Sequence, residues 1–499
     1  MRSNLWRTTI PEAAAAAWRF RSLFRDGKWQ QRSREPDTGY FTVADMDGDR
    51  RRITLQPALP EAWTGAAGVE INSIAHWHYN RQSVAELNGS TVIVREPVGS
   101  DASGARLAMK SHNRLWLENS LVFADEPGEW YLDAARGELF YCAQPGDDPN
   151  HSSFSAPVTA ELMVVRGTPQ QPVRNLEFRN LEFAETEWEM PAEGRMGLQA
   201  GAWGADRSRT YSPTAAIRFL YCSNIVLQGC HFRDLGEGAL ALEAGCSDGL
   251  IASSSFRRVG ANVIQVGRMP AYTGIGHPLH RDFVAPRDRI SEEGAIPGAG
   301  DLYRTMTTTA AEAPSRIRIV DNTIEDCLHL DLGSVGIWVG YASHVRIEHN
   351  LLRNLPYTGI SVGWRWAPGL TNCHSNLVAF NRVEGVMREA GDGGGIYLVG
   401  EQPGTKVLNN YVRDSRGSYS ERGIYIDEFG DHMEIAGNYV AETADRSIYL
   451  HKNGPNQSLH DNNGDSGPTQ LTPLDSRGRR WIKYLEERTP PDLSLYGPR

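Results

Sequence analysis

Two aspartates near the end of the chain stand beside two copies of one short phrase. Asp392 precedes the phrase Gly395-Ile-Tyr-Leu, and Asp427 directly follows the phrase Gly423-Ile-Tyr-Ile. Each phrase leads into alternating apolar and polar residues, which is the pattern of a β-strand. Two carboxyl groups on one face can serve as a proton donor and as a nucleophile or base. With a sugar between them, they are the minimum equipment for cleaving a glycosidic bond.

The register of the repeat separates these two aspartates. Alignment of the phrases places Asp392 seven residues before the position that stacks on Asp427. We expect the glycine run at residues 393–395 to form a tight turn that folds Asp392 back, because glycine adopts backbone conformations closed to other residues. Glu428 and His451 are reserve candidates for the second group. The competing interpretation is that both aspartates only cap the ends of structural repeats.

The elements that must position these carboxyls recur from about residue 166. Alternating strand-like segments return, and five of them carry an asparagine at the same place, at intervals of 28, 31, 29 and 28 residues. A period of this length with one asparagine at a turn of each unit is typical of a right-handed parallel β-helix. An ordinary all-β sandwich is the alternative interpretation. The asparagines are Asn322, Asn350, Asn381, Asn410 and Asn438.

A second strand in each unit begins with Gly-Ile or Ser-Ile. Because successive side chains of a strand point to opposite faces, we expect the isoleucines to point inward and their neighbours outward. Adjacent coils lie about 4.8 Å apart, so residues at one register position form columns. One predicted outward column is Trp338, Ser361, Tyr397, Tyr425 and Tyr449, and the next is Gly340, Gly363, Val399, Asp427 and His451.

Aromatic side chains beside glycines in these columns form a predicted floor for a sugar ring. We expect Trp364 and Trp366, which follow the strand of Ser361, to be exposed and to stack on sugars. The alternative is that both pack beneath an inserted loop. The predicted substrate-binding residues are Trp338, Trp364, Trp366, Tyr397, Tyr425, Glu428 and His451.

The pattern predicts an all-β fold in three parts. Residues 1–165 form a β-rich, sandwich-like accessory domain, residues 166–465 the catalytic β-helix, and residues 466–499 a tail or cap. Insertions at about 185–213 and 269–313, the second with His277 and His280, are expected to wall a binding face. Short helices are predicted at residues 11–18 and 480–487, and a hairpin with Gly137 in its turn.

Bulk properties exclude several partners. The net charge of -10 argues against nucleic acid, since phosphate binding needs a basic face. The sequence contains no run of eighteen apolar residues, so no membrane span is predicted. The start MRSNLWRTTIPEAAAAAW lacks the apolar region of a signal peptide. The six cysteines have neither C-x-x-C nor zinc-ligand spacing, so we expect buried free thiols and neither metal nor cofactor.

These phrases resemble glycoside hydrolase family 141, whose known activities include α-L-fucosidase and xylanase. The resemblance implies a secreted or periplasmic enzyme acting on a xylan- or fucose-containing plant or microbial glycan, with catalytic aspartates matching Asp392 and Asp427. The chain starts almost directly at the inserted β domain and ends soon after His451, as expected of a compact variant or of a chain truncated at its N-terminus. The matching phrases are Phe20-Arg-Ser-Leu-Phe-Arg-Asp-Gly27, Pro127-Gly-Glu-Trp-Tyr-Leu-Asp133, Glu187-Trp-Glu-Met-Pro191, Tyr357-Thr-Gly-Ile-Ser-Val-Gly-Trp-Arg-Trp366, Asp392-Gly-Gly-Gly-Ile-Tyr397, Glu401-Gln-Pro-Gly-Thr405 and Gly423-Ile-Tyr-Ile-Asp-Glu428.

Three neighbouring interpretations stay open. Family 120 β-xylosidases resemble the phrase around Asp427, but their acid/base glutamate falls near His451 here, and a histidine argues against that arrangement. A polysaccharide lyase would need a basic residue beside a uronate, for which Arg365, Arg388 and Arg422 are available. A non-catalytic glycan-binding protein would need the tryptophans but not Asp427. For a hydrolase we expect retention, because neighbouring coils hold side chains close together.

Overall fold

The chain forms two compact units. The first contains Met1–Ala160, Glu185–Gly197 and Trp203–Arg207, and the second contains Glu161–Ala184, Leu198–Ala202 and Ser208–Arg499. The computed structural model describes residues 4–61, 63–65, 67–98, 113–192, 194–204, 210–211, 213–267, 312–364, 366, 369–417, 421–464, 469–471, 482–484 and 492–499.

The first unit is built from antiparallel strands with alternating apolar residues. Strand β7 pairs with β8 and with β10, and β8 continues to pair with β9. Residues such as Ile53, Ile71, Val92 and Leu115 from these strands form a shared core. The strands are β1 (Leu5–Thr9), β2 (Leu23–Arg25), β3 (Lys28–Gln30), β4 (Arg34–Glu35), β5 (Thr42–Met46), β6 (Arg52–Gln56), β7 (Glu70–Ala75), β8 (His78–Asn88), β9 (Thr91–Val94), β10 (Asn113–Glu118), β11 (Trp130–Asp133), β12 (Glu138–Cys142) and β13 (Phe154–Ser155).

Local features of the first unit follow the sequence in part. The predicted hairpin is confirmed: β11 and β12 pair antiparallel, and Gly137 has φ +68° in the turn, where glycine carries no Cβ penalty. The predicted helix at residues 11–18 is a 3₁₀ helix, Pro11–Ala16, interrupted by non-helical dihedral angles at Ala14 and Ala15. Two further 3₁₀ helices are Leu121–Phe123 and Pro149–His151.

The second unit repeats short strands in groups of three. Its first strand, β14, begins before the predicted domain boundary at residue 165. The strands of these groups are β14 (Met163–Arg166), β15 (Val173–Arg179), β16 (Glu182–Ala184), β20 (Ala215–Leu220), β21 (Cys222–Gln228), β22 (His231–Leu235), β23 (Gly238–Leu242), β24 (Leu250–Ala252), β25 (Ser255–Val259), β26 (Ile264–Val266), β27 (Arg318–Val320), β28 (Thr323–Glu325), β29 (Ile337–Val339), β30 (Arg346–Glu348), β31 (Leu351–Arg353), β32 (Ile360–Val362), β33 (Leu377–Ala379), β34 (Arg382–Glu384), β35 (Gly393–Leu398), β36 (Glu401–Leu408), β37 (Tyr411–Ser415), β38 (Glu421–Ile426), β39 (Asp431–Ala436), β40 (Tyr439–Thr443), β41 (Arg446–Leu450), β42 (Ser458–His460) and β43 (Asn463–Gly464). The 185–213 insertion adds three strands outside these groups, β17 (Arg195–Leu198), β18 (Gly201–Gly204) and β19 (Thr210–Tyr211).

These strands stack into three parallel sheets, each of nine strands within the described residues. Sheet A runs β14-β20-β23-β26-β29-β32-β35-β38-β41, sheet B runs β15-β21-β24-β27-β30-β33-β36-β39-β42, and sheet C runs β16-β22-β25-β28-β31-β34-β37-β40-β43. Consecutive strands of the chain therefore pass from sheet A to B to C and back, one coil further along. The predicted all-β fold, a right-handed parallel β-helix with an additional β-rich N-terminal domain, is confirmed.

The interior of the β-helix is filled by side chains at equal register. In sheet A the predicted inward isoleucines are confirmed, and all are 0–1% exposed. Burying each one stabilises the coil by roughly 1.5–3 kcal/mol. The isoleucines in register are Ile337, Ile360, Ile396, Ile424 and Ile448.

The asparagines form a buried ladder between sheets B and C. Each Nδ2 group donates to the Oδ1 atom of the asparagine one coil further, at 3.0, 3.0, 2.9, 2.9 and 2.8 Å. Each Nδ2 group also donates to a strand carbonyl of the coil before. Sequence analysis missed the sixth member, Asn462, because the interval from Asn438 shortens to 24 residues.

Remaining predictions fall on the cysteines and the tail. All six cysteines are buried and free, as predicted. Residues 482–484 of the predicted helix 480–487 instead form strand β45 (Ile482–Tyr484), antiparallel to β44 (Thr469–Leu471). A 3₁₀ helix, Leu493–Leu495, lies in the final segment. His277 and His280 lie outside the described residues. No helix in the described part of the chain has the length and apolar character needed to cross a membrane.

Candidate active site

Asp427 lies on sheet A at the carboxyl end of β38. The register pairs Ile426 with Leu450 and thereby sets Asp427 beside His451 in the next coil, as predicted. Asp427 is 8% exposed, and its carboxyl group faces the outer aromatic column rather than the apolar interior. The hydroxyl group of Tyr397 donates to Oδ2 at 2.5 Å, and that of Tyr425 donates to Oδ1 at 3.0 Å.

A third donor reaches Asp427 from a loop two coils earlier. The Nε1 group of Trp366 donates to Oδ2 of Asp427 at 3.3 Å and to the hydroxyl oxygen of Tyr397 at 3.0 Å. Burial raises the pKa of Asp427, and the nearby charge of Asp392 raises it further, whereas the hydrogen bonds from Tyr397, Tyr425 and the backbone N–H of Glu428 oppose the change. The carboxyl group is therefore oriented by three side-chain donors and one backbone donor in a site that favours its protonated form.

Asp392 occupies the position just before β35, with φ +53°. Its Oδ1 atom accepts a hydrogen bond from Nη1 of Arg422 at 2.7 Å, and its side chain is 29% exposed. The same guanidinium group forms an ion pair with Asp445 at 3.2 Å. Asp392 is thus the more accessible carboxylate and the one held by a cation.

Arg422 and Tyr425 connect the two aspartates. The guanidinium carbon of Arg422 lies 4.5 Å from the ring centre of Tyr425, within the range of a cation–π contact. The hydroxyl group of that ring donates to Asp427, while Arg422 donates to Asp392. The structure therefore brings the predicted pair to one neighbourhood through two intervening side chains.

The expected glycine turn is wrong. Residues 393–395 belong to β35, so Asp392 is not folded back by them. Close packing explains these glycines: a Cβ atom on Gly393 would lie 2.8 Å from the methyl group of Met387, and one on Gly395 would lie 2.5 Å from a methyl group of Val412.

The predicted aromatic column exists, but its expected exposure is wrong. Trp338, Ser361, Tyr397, Tyr425 and Tyr449 stack in register, and the first four are 0–3% exposed. The rings of Tyr397 and Tyr425 meet edge to face at 5.2 Å, and their hydroxyl groups are used by Asp427. They present almost no surface to a sugar.

The predicted exposure of the tryptophans is also wrong. Trp364 is 2% exposed and packs edge to face between Trp338 at 5.8 Å and Trp366 at 4.8 Å. Trp338 has no accessible surface, and its indole fills the space above Gly340. Trp366 is half-buried. Strand alternation predicts the side of a sheet on which a ring lies, but not what covers it.

His451 and Glu428, the reserve candidates for the second catalytic group, are partly exposed to solvent. Nδ1 of His451 is 3.3 Å from the hydroxyl oxygen of Tyr449, and its Nε2 is 3.8 Å from Oε1 of Glu428. Glu428 also pairs with Lys452 at 2.5 Å. His451 and Glu428 side chains are 34% and 21% exposed. The side chains of His451 and Glu428 thus contact each other, whereas the side-chain donors to Asp427 are two tyrosines and a tryptophan.

Sequence reasoning missed two contributors. Tyr357 is fully buried, and its hydroxyl group donates to the backbone oxygen of Asp392 at 3.4 Å. Gln199, from the 185–213 insertion, hydrogen-bonds to Tyr357. Arg422 was considered only as a lyase residue, although the repeat register pairs it with Gly394 and so places it on the strand of Asp427, beside the strand that follows Asp392.

Among the described residues, one group of carboxylates could hold a metal ion. Oxygen atoms of Asp37, Asp125 and Glu129 lie within 4.8 Å of one another in the first unit. The oxygens of Glu129 already accept backbone N–H groups from Arg34, Asp125 and Glu126. This group belongs to the accessory domain and not to the neighbourhood of Asp427.

Comparisons with known proteins agree on the fold. A family model described as "Right handed beta helix region" matches residues 309–470. A solved structure titled "Glycoside hydrolase" is 20% identical, with a TM-score of 0.72 over 93% of this chain and 80% of that chain. No curated protein matches the chain.

A second solved structure, titled "The complex structure of XylC with xylose", is 10% identical and covers 97% of this chain and 76% of that chain. Its TM-score of 0.36 is too low to support an argument. The chain therefore contains a right-handed β-helix region and is structurally similar to a glycoside hydrolase.

Proposed function

We propose that this protein is a glycoside hydrolase whose catalytic carboxyl groups are those of Asp427 and Asp392. The observation that carries the proposal is the pair itself: two carboxyls in contrasting environments, joined through Arg422 and Tyr425. In glycosidases, two carboxyl groups in different surroundings take different roles, one as the acid and the other as the nucleophile or base.

The environments suggest a role for each group. Burial raises the pKa of Asp427, which suits the general acid that protonates the leaving oxygen. Asp392 is ion-paired with Arg422 and more exposed, which suits the nucleophile or the base that activates water. The expected retention of configuration stays a prediction, tested by the anomer first released from the substrate.

The substrate class rests on the resemblance of the phrases around both aspartates to family 141. We propose a plant or microbial glycan containing xylose or fucose. No observed contact favours a lyase: Arg388 pairs with Asp414 at 2.7 Å, Arg422 is bound to Asp392, and Arg365 lies outside the described residues.

A substrate screen tests the proposal. Purified protein is incubated with nitrophenyl xylosides and fucosides, xylans and pectic fragments, and products are followed by reducing ends and by the ultraviolet absorbance of unsaturated sugars. A hydrolase gives new reducing ends without that absorbance. Unsaturated products would establish a lyase, and binding without any product would establish a glycan-binding protein.

A further inference from the structure

The two oxygens of the Asp427 carboxyl group have different partners. Oδ2 receives the hydroxyl group of Tyr397 at 2.5 Å and the indole N–H of Trp366 at 3.3 Å. Oδ1 receives one side-chain donor, the hydroxyl group of Tyr425 at 3.0 Å. The donors on Oδ2 come from other coils than Asp427, whereas Tyr425 lies on the same strand, β38.

The groups that contact Oδ2 differ in the hydrogen bonds that they can form. An indole N–H can donate but never accept, so Trp366 cannot take a proton from Oδ2. The hydroxyl group of Tyr397 donates to Oδ2 and also accepts the indole N–H of Trp366, so the two side chains hold that oxygen together. The backbone N–H of Glu428 adds a further hydrogen bond to the carboxyl group.

We propose that Tyr397 and Trp366 are positioning residues that hold Oδ2 and thereby fix the orientation in which the Asp427 carboxyl group exchanges its proton during catalysis. This inference rests on the proposed glycosidase function. The proton passes from the carboxyl group of Asp427 to the glycosidic oxygen as the bond between that oxygen and the anomeric carbon breaks. The leaving sugar departs as an alcohol, and one water supplies the hydroxyl group to the anomeric carbon and the proton that restores Asp427.

The inference gives these side chains a role other than a sugar platform. Tyr397 is 2% exposed, so its ring cannot form the floor of a binding site, while its polar end touches a candidate catalytic group. The charged and titratable groups that surround Asp427 are Asp392, Arg422, Tyr357, Tyr397, Tyr425, Glu428, Tyr449 and His451.

The test is the pH profile of kcat/KM in Tyr397→Phe and Trp366→Phe. The Tyr397 hydrogen bond favours the charged form of Asp427, so its loss raises the proton affinity of the acid. The alkaline limb should move upward by about one to two pH units in Tyr397→Phe, as expected for one charge-assisted hydrogen bond. The shift should be smaller in Trp366→Phe because its contact is longer, and kcat should fall in both variants.

Two further variants distinguish a failure of the positioning inference from a failure of the proposed function. Tyr439→Phe removes a half-buried tyrosine hydroxyl group from sheet C and should keep the wild-type profile. Asp427→Asn should be inactive. If it is inactive but both positioning variants keep the wild-type alkaline limb, the inference is overturned while the proposed function stands. Wild-type turnover by Asp427→Asn would overturn the catalytic assignment itself.

Discussion

Replacement of Asn410 by alanine tests whether the asparagine ladder holds the coils that carry both aspartates. Asn410 follows β36 and has no accessible surface. Its Oδ1 atom accepts the backbone N–H of Asn381 at 3.0 Å, and its Nδ2 group donates to the carbonyl group of Val378 at 2.9 Å. Asn410→Ala leaves both buried backbone groups without these partners.

The magnitude follows from those two groups. An unsatisfied buried donor or acceptor costs about 1–3 kcal/mol, so the variant should lose roughly 2–6 kcal/mol of unfolding free energy. On the other side, the Oδ1 atom of Asn438 loses the Nδ2 donor of Asn410 but keeps the backbone N–H of Asn410 at 2.9 Å. The loss is therefore greatest at the coil boundary on the Asn381 side.

Urea unfolding followed by circular dichroism measures the loss, and hydrogen exchange of peptides around Asn381 locates it. The matched control is Lys406→Ala on β36 of the same coil, whose exposed ion pair with Glu434 is worth at most about 1 kcal/mol. Equal unfolding midpoints for the two variants would refute the reasoning.

Two further predictions concern the charged residues of each unit. Arg422→Lys replaces the guanidinium group that contacts Asp392 and Tyr425, so kcat/KM should fall at least about tenfold with an unchanged circular dichroism spectrum, whereas Arg446→Lys, at the paired position of the next coil, should stay near wild type. Wild-type turnover by Arg422→Lys would contradict the link between the aspartates. In the first unit, burial raises the pKa of Glu129 from 4.5 to about 7, so its contribution to stability is present below pH 4.5 and lost as the pH rises through 7. The melting temperature of that unit should fall over this window, and the fall should be smaller in Glu129→Gln; an equal slope in both proteins would contradict it.

Periodicity carried most of the fold prediction. The asparagine intervals and the inward isoleucines recur in the successive coils from Asn322 onward, so they predict the strand register and the neighbours of Asp427 without knowledge of distant contacts. The same alignment could not predict the burial of Trp364, because burial depends on what packs over the sheet. Nor could it distinguish a glycine turn from a glycine strand at residues 393–395, because the choice depends on the side chains of Met387 and Val412.

The sequence predicted which residues belong to the candidate site but not which side chains contact one another there. The aspartates were found from their repeated phrases, yet the cation–π contact between Arg422 and Tyr425 depends on side-chain directions that a strand pattern leaves open. Trp366 reaches Asp427 from a loop, where no repeat sets the position of a side chain. Side-chain contacts could not be predicted where they involve residues outside the repeated strands.

Turnover by Asp427→Asn and Asp392→Asn shows directly whether the two carboxyl groups are catalytic. On the first glycoside that the wild-type protein cleaves, each variant should lose at least ~10²-fold in kcat, since a general acid or base contributes about that factor or more. Asp461→Asn, an exposed aspartate on the surface of the β-helix, serves as the matched control and should retain wild-type turnover. We expect Asp427→Asn and Asp392→Asn to be folded and inactive. Wild-type kcat in Asp427→Asn would contradict a catalytic role of its carboxyl group.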